Sequence, residues 1–208
     1  MNLKTPYLKP IDYLDTTDVF FTSDFHIGHK NVIKFDNRPF DGVDEMSKTI
    51  IEKWNSVVSK NSIVYFLGDL SYKVKTDIVK KFVHQLNGDI RVIMGNHDWL
   101  NDLLKMDRFS DIQTAKRVVI TDKDGNRTFF ELSHYPHLVW NKHSRGAIHL
   151  HGHSHQNLVE SDYGKNFYYK RKVIDVGCMG HDYTPLSFDD IMEIMKNKEI
   201  EEIDHHKV

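Results

Sequence analysis

The sequence predicts an α/β fold, because short β-prone segments alternate with segments of helical periodicity over its first half. The strand-like segments cover residues 19–22, 62–67 and 90–94. Between them, apolar residues recur at helical spacing over 43–58 and 74–86. Because a strand, helix, strand order implies right-handed crossovers, this half is expected to form a largely parallel sheet.

The second half of the chain predicts a different arrangement. Residues 117–121 and 127–132 flank a polar segment that contains Asp124 and Gly125, which indicates a hairpin turn. The terminal helix is expected to have Ser187 as its N-cap. The remaining expected elements are strands over 147–150 and 172–176 and that helix over 187–197.

Length and charge restrict the class of protein. A chain of 208 residues fits one domain, since single cores grow up to ~250 residues. We expect one domain over 1–208, with an N-terminal extension (1–17) and a charged tail (199–208). The formal net charge of −2 argues against a non-specific polyanion binder. Nucleic acid is therefore expected only as a substrate.

Composition also indicates a soluble, cytoplasmic protein. The lone Cys178 excludes an internal disulfide and a cysteine-rich zinc site. Residues 1–18 lack the apolar core of a signal peptide. No segment approaches the ~20 apolar residues that cross a bilayer, so no membrane partner is expected.

Polar side chains follow the predicted strands at the point where each strand ends. Asp24 follows the first strand, Asp69 the second and Asn96 the third. Ligands of an open α/β sheet bind beyond the carboxyl ends of its strands. Any one such residue is as often a helix cap as a ligand. The three together, followed by a group of histidines, predict one site.

The histidines supply nitrogen ligands for that site. The chain has 14 histidines, and His134 ends another apolar run, while His153 and His155 follow Gly152. Imidazole combined with carboxylate suits several divalent transition metals. We expect Gly152 to permit a backbone geometry that residues with a Cβ resist.

Two pairs of candidate ligands share a spacing that suits metal binding. Asp24 and His26 lie two residues apart, as do His153 and His155, so in an extended chain each pair points to one side and can hold one ion. A carboxylate such as Asp69 can bridge two cations. These ligands predict a binuclear hydrolytic site.

The order of the motifs resembles the calcineurin-like metallophosphoesterase superfamily, especially its small bacterial and phage-encoded members. The resemblance covers residues 18–155 and implies a four-layer αββα sandwich of two mixed β-sheets flanked by helices. It implies that two divalent metal ions are bound, and that His97 is the catalytic histidine with Asp98 as its orienting partner. The first ion would be held by Asp24, His26, Asp69 and His155, and the second by Asp69, Asn96, His134 and His153.

These roles predict hydrolysis of phosphate esters by a metal-bridging hydroxide. His97 would neutralise phosphoryl charge and protonate the departing oxygen. A phosphodiesterase acting on a nucleotide or other small diester is favoured, because the chain leaves little room for accessory domains. A phosphomonoesterase or protein phosphatase uses the same core, and a non-catalytic scaffold would show eroded ligands. Mn²⁺ is the favoured metal, and Fe, Zn²⁺ or Ni²⁺ suit the same ligands.

Residues around this core are candidates for substrate contacts. Arg38 is expected either to clamp phosphate or to lie on the surface before a turn proline. His137 is expected to border the pocket. Tyr183 and His181 are expected either to meet the leaving group or to pack in a structural loop. His29 is expected either to contact the substrate or to support the site from the start of a helix. The other expectations are buried positions for His149, His151 and Cys178, surface positions for His84, His143, His205 and His206, and a hairpin carrying Tyr163, Phe167, Tyr168 and Tyr169.

Overall fold

Alternating apolar residues produce two β-sheets in the computed structural model, which describes residues 11–200. The strands in this range are β1 (Ile11–Leu14), β2 (Val19–Thr22), β3 (Ile63–Phe66), β4 (Asp89–Ile93), β5 (Phe109–Gln113), β6 (Ala115–Thr121), β7 (Arg127–Ser133), β8 (Ile148–His151), β9 (Val173–Asp175) and β10 (Leu186–Ser187). The α-helices in the same range are α1 (Lys30–Phe35), α2 (Val43–Val57), α3 (Thr76–Val83), α4 (Leu100–Lys105), α5 (Asn157–Glu160), α6 (Asp162–Tyr169) and α7 (Phe188–Met195). Short 3₁₀ turns cover His143–Arg145 and Cys178–His181.

The first sheet has the order β10-β2-β3-β4-β5. Strands β2 to β5 run parallel, and β10 pairs antiparallel with β2. Helix α2 buries Met46, Ile50 and Trp54, and α3 buries Val79 and Phe82, against one face of this sheet. The predicted parallel half is therefore confirmed.

The second sheet has the order β1-β6-β7-β8-β9. Strands β6 and β7 form the predicted antiparallel hairpin, whereas β7, β8 and β9 are parallel. Apolar side chains of both sheets, including Phe21 and Phe130, fill the space between them. Phe167 and Tyr168 of α6 pack with Trp140 and Val173 in a separate cluster. The predicted αββα sandwich of two mixed sheets is confirmed.

Several elements differ from the sequence-based expectations, which did not include strands β1, β5 and β10 or helices α4 and α5. Strand β1 was not predicted, and it is held by long-range contacts, since the Asp12 carboxylate accepts hydrogen bonds from Tyr65 and Arg91 and pairs with Lys116. Residues 162–169 form helix α6 instead of a hairpin, and the Ser161 hydroxyl caps it through Gly164 N. A local capping bond therefore decided the structure of this aromatic segment.

The terminal helix forms as predicted. Ser187 caps α7 in a capping box with Asp190. The expectations for His205, His206 and most of the tail 199–208 lie outside the described residues.

Candidate metal centre

Loops at the strand ends of both sheets meet at one place. Backbone hydrogen bonds join the loops after β2 and β3, because Asp24 N donates to Gly68 O and His26 N donates to Asp69 O. The loop after β8 joins them, since His153 N donates to the Asp24 carboxylate. The three loops thus form one connected frame at the carboxyl ends of the strands.

Five of the seven predicted ligands lie on left-handed backbone. The residues with positive φ include Asp24 (60°), His26 (51°), Asp69 (59°), His153 (68°) and His155 (46°). This differs from the expectation that each pair projects from extended chain. Non-glycine residues in this region cost about 1–3 kcal/mol each and cluster at functional sites. The surrounding hydrogen bonds offset that strain.

The first group contains Asp24, His26 and His155, whose ligand atoms lie close together. The Nε2 atoms of His26 and His155 are 3.0 Å apart, and His155 Nε2 is 3.6 Å from Asp24 Oδ1. Asp69 Oδ2 lies 3.6 Å from His26 Nε2. Four predicted ligands of one ion therefore face a common point.

The second group contains Asp69, His134 and His153. His134 Nε2 lies 3.6 Å from Asp69 Oδ2. Asn96 Oδ1 lies 2.9 Å from both His134 Nε2 and His153 Nδ1. The oxygen Asp69 Oδ2 is thus at the same distance from a histidine of each group, which is the position of a bridging ligand.

These spacings fit two metal ions. Metal–ligand bonds of about 2.1 Å place neighbouring ligand atoms about 3.0 Å apart in octahedral and about 3.4 Å apart in tetrahedral coordination. The six separations given above lie between 2.9 and 3.6 Å, and the ligand atoms of each three-residue group lie within 4.8 Å of one another. The donor set of imidazole nitrogens, carboxylates and one amide oxygen accepts Mn²⁺, Fe, Zn²⁺ or Ni²⁺.

Burial affects the charge of several predicted ligands. It lowers the pKa of His26 to about 3 and also lowers that of His153, so both rings are neutral at pH 7 and keep a lone pair for a cation. Burial alone would raise the pKa of Asp24, but its contacts with His155 outweigh burial and lower it. Burial favours the neutral ring of His155, but the contacts with Asp24 and Asp36 raise the pKa of His155 to about 10, so a metal ion bound at His155 would replace the proton on that ring.

A chain of side chains orients His155 from behind. His155 Nδ1 lies 2.8 Å from Asp36 Oδ2, and the same oxygen accepts from Arg38 Nε and a terminal nitrogen of Arg38 at 3.1 and 3.0 Å. Arg38 also donates to the carbonyls of Asp24 and Phe25. A carboxylate on the distal nitrogen fixes the ring so that the other nitrogen faces the metal.

Arg38 matches neither of the two expectations for it. Its side chain is 0% exposed, so it is not a surface residue and does not face a substrate. Its guanidinium is occupied by Asp36 and by backbone carbonyls under the site. The sequence pattern could not show this, because a turn proline beside Arg38 is equally compatible with exposure and burial.

His97 lies at the edge of the two groups. Its backbone N–H donates to Asp69 Oδ1, and its Nε2 is 3.9 Å from Asp69 Oδ2. The ring centroid lies 4.6 Å from that of Tyr72 and 5.5 Å from that of His26. His97 therefore faces the centre and packs against an aromatic ring.

Asp98 makes contacts other than the expected one. Its carboxylate accepts hydrogen bonds from the backbone N–H groups of Asp69, Leu70 and Gly95. The expected hydrogen bond to His97 is not among them. Asp98 instead ties the loop after β4 to the loop after β3, because two neighbouring loops offer it three unpaired donors.

The other two predicted substrate contacts also face elsewhere. His137 stacks on His149 with ring centroids 4.9 Å apart, and its backbone N–H donates to His149 Nε2. Tyr183 is 5% exposed and packs against Phe40. Neither residue lines the cavity at the metal centre.

The remaining histidines mostly follow expectation. Burial lowers the pKa of His149 to about 3 and of His151 to about 4, in keeping with their predicted buried positions. Cys178 is buried as predicted, and His84 is exposed. His143 is buried beside Trp140, so its expected surface position is wrong. His29 lies directly before α1 and lines the cavity.

Glycine is required at two points of the centre for space. A Cβ on Gly152 would lie 2.3 Å from Asp24 Oδ2, and one on Gly95 would lie 2.3 Å from Asp69 Oδ1. Gly152 is not among the residues with positive φ. The need for glycine at 152 was predicted, but the reason is close packing and not an unusual backbone conformation.

The sequence analysis assigned no role to two acidic residues of this region. Asp36 contacts the His155 ring. The sequence could have indicated this role, because Asp36 lies two residues before Arg38, with which it pairs. Asp175, at the end of β9, accepts hydrogen bonds from Ser154, Gln156 N and Gly177 N. Burial raises the pKa of Asp175 to about 6. Asp175 lies within an apolar run, and this could have indicated a role, since carboxylates are seldom buried without partners.

The cavity at the centre has a volume of about 320 Å³. Besides predicted ligands, it is lined by His29, Phe35, Asp36, Tyr72 and His97. The geometry defines a protein with a candidate two-metal site of the hydrolytic type at the strand ends of an αββα sandwich.

The chain belongs to the calcineurin-like phosphoesterase family, whose sequence model matches residues 17–185. The family and the two ligand groups support metal-dependent hydrolysis of phosphoesters. The resemblance noted in the motifs is therefore confirmed.

Similar proteins are of comparable length. The uncharacterized protein MJ1445 of Methanocaldococcus jannaschii is 34% identical over 183 residues, which cover 88% of this chain and 93% of that protein. The gene 66 protein of Mycobacterium phage L5 is 31% identical over 70% of this chain and 81% of its own. A protein of unknown function from Aquifex aeolicus, AQ665, has a similar crystal structure, with a TM-score of 0.64 and 25% identity over 85% of this chain and 98% of its own.

In the part of the chain that the structure describes, no helix combines the length and apolar character needed to cross a bilayer.

Proposed function

We propose that the protein is a phosphodiesterase that uses two divalent metal ions, with Mn²⁺ favoured, to hydrolyse a nucleotide or other small diester. The observation that carries this proposal is that the cavity at the metal centre shares Tyr72, Asn96 and His97 with an adjoining cavity of about 340 Å³. A phosphate at the centre therefore has room for an organic group on two sides. A diester has two such groups.

The charge of the cavity supports a diester over a monoester. Among the described residues that line the cavity at the metal centre, none is a lysine or an arginine. A monoester carries more negative charge than a diester and is better served by a cationic side chain. The nearby guanidinium of Arg38 is occupied by Asp36.

In this proposal, the chain's residues hold two ions and position the substrate. Asp24, His26, Asp69 and His155 would hold one ion, and Asp69, Asn96, His134 and His153 would hold the other. When bound, the ions lower the pKa of water and neutralise charge on the phosphoryl oxygens. Asp36 keeps the His155 ring in the orientation that presents Nε2 to the centre.

His97 acts on the ester oxygen. Its ring lines both cavities, so it can donate a proton to the oxygen that leaves toward the second one. The bond between phosphorus and that oxygen would break as the oxygen of water bonds to phosphorus. His97 would give its proton to the departing oxygen, and the proton lost by the water would pass to solvent. Tyr72 packs against the His97 ring and restricts its orientation.

Turnover of a substrate panel with Mn²⁺ tests this function. We expect kcat/KM to be higher for bis-p-nitrophenyl phosphate than for p-nitrophenyl phosphate, and cyclic nucleotides test a physiological diester. His97→Ala should keep both ions and lose about 10²–10⁴-fold in turnover, the typical contribution of general acid catalysis. His84→Ala is the control, because His84 is exposed and lines neither cavity.

Two results would contradict the proposal. One is a preference for the monoester, and the other is full activity of the His97→Ala variant on a diester with a poor leaving group. The expected cytoplasmic location stays a prediction.

A further inference from the structure

A second cavity adjoins the cavity at the metal centre. It has a volume of about 340 Å³ and is bounded by the loop after β3 and by helix α4. This is at the small end of the sizes typical of ligand sites, about 300–1,000 Å³. Because it shares Tyr72, Asn96 and His97 with the metal cavity, a molecule can occupy both at once.

Part of the lining of the second cavity is apolar. Its lining includes Leu70, Val79, Leu103 and Met106, which belong to the buried core between the first sheet and its helices. These side chains offer no hydrogen bonds. They favour an apolar part of a ligand over water.

Two aromatic side chains form the walls. Tyr72 is half-buried, and Trp99 is 73% exposed at the start of α4. The other tryptophans, Trp54 and Trp140, are buried in the core. A tryptophan left exposed beside an apolar cavity loses water contacts when a flat ring covers it, which is favourable.

The rest of the lining is polar and includes Ser71, Lys73, Thr76, Asp98 and Asp102 besides the shared Asn96 and His97. Lys73 Nζ lies 5.0 Å from the centroid of the Tyr72 ring. The Asp102 carboxylate accepts a hydrogen bond from Thr76 Oγ1 at 3.2 Å, and both residues line the cavity. A pocket that combines apolar side chains with hydrogen-bonding groups selects a flat ring with polar edges over a plain hydrocarbon.

We propose that the second cavity binds an aromatic ring on the leaving group of the diester, of the chemical class of a nucleobase, against Trp99 and Tyr72. This inference rests on the proposed function and adds the class of leaving group. Stacking on aromatic side chains tolerates different bases because every base has a flat face. The shared residue His97 then stands beside the oxygen that links the ring-bearing group to phosphorus.

Kinetics of Trp99 variants on bis-p-nitrophenyl phosphate with Mn²⁺ test this inference. We expect Trp99→Ala to raise KM at least about fivefold, the scale of one lost stacking contact, with kcat changed less than about twofold. Trp99→Phe should retain most of the affinity. Leu104→Ala is the control, because Leu104 is 60% exposed on the same helix and does not line the cavity.

A binding measurement separates this inference from the proposed function. Adenosine should quench the fluorescence of the Mn²⁺-loaded wild type and compete with the diester, whereas ribose should do neither. Trp99 is mostly exposed, so its replacement should leave the thermal midpoint nearly unchanged. An unchanged KM in Trp99→Ala, or no binding of adenosine, would overturn the inference. If no diester is hydrolysed but adenosine still binds at Trp99, the proposed function alone fails.

Discussion

Asp36 controls the orientation of His155 at the scale of single residues. It connects the buried Arg38 guanidinium to His155 Nδ1, and Arg38 is in turn fixed by the carbonyls of Asp24 and Phe25. Burial favours the neutral ring of His155, but its contacts with Asp24 and Asp36 outweigh burial and raise its pKa to about 10. Asp36 therefore bears on both the geometry and the charge of this ligand.

Replacing Asp36 should weaken metal binding without removing a ligand. We expect Asp36→Asn to lower the affinity for Mn²⁺ at the site of Asp24, His26 and His155 by about 10–100-fold, as is typical when the partner of a metal-binding histidine is lost. Isothermal titration measures this change. Asp41→Asn, an exposed acidic residue five positions along the chain, should bind like the wild type. An unchanged affinity in Asp36→Asn would show that the contact is only structural.

At the scale of elements, the loop after β8 packs so closely against its neighbours that no side-chain atom fits at its first residue. It carries His153 and His155 on left-handed backbone, and Asp175 holds it through Ser154 and Gln156. Gly152 begins this loop against the Asp24 carboxylate and the Ser23 hydroxyl. Its position sets the distance between the loops of the two sheets.

A methyl group at position 152 should disrupt the centre. The Cβ of Gly152→Ala would lie 2.3 Å from Asp24 Oδ2 and 2.4 Å from Ser23 Oγ, so one of the two loops must move. We expect at least a tenfold loss of Mn²⁺ affinity, since ligand positions must be kept within about 0.5 Å. Gly42→Ala is the matched control, because nothing lies within 4 Å of its Cβ and its φ of −168° is extended. Equal affinity in both variants would contradict this packing argument.

The periodicity of apolar residues predicted helices α2 and α3, and a polar turn between two β-prone segments predicted the β6–β7 hairpin. These signals lie in neighbouring residues of the chain. Signals of this kind failed for β1, because that strand depends on Asp12 reaching Tyr65, Arg91 and Lys116 from distant parts of the chain. The site residues also divide into those indicated by local sequence and those whose contacts depend on distant parts of the chain. Residue types and order indicated the ligands, whereas the contacts of Arg38 and Asp98 depend on which loops pack together.

At the scale of the whole molecule, the centre depends on the packing of the two sheets. Asp24, His26, Asp69 and Asn96 come from loops of the first sheet, and His134, His153 and His155 come from loops of the second. The two predicted ion sites meet at one oxygen, Asp69 Oδ2. Metal binding should therefore stabilise the contact between the sheets, since a ligand that binds only the folded state raises its stability.

The number of Mn²⁺ ions bound per chain tests this arrangement most directly. Equilibrium dialysis followed by elemental analysis should find two ions per chain in the wild type. Asp69→Asn keeps the shape of the side chain but removes the bridging charge, so it should bind less than one ion at the same free Mn²⁺ concentration. A single ion in the wild type, or two ions retained in Asp69→Asn, would contradict a binuclear centre bridged by Asp69.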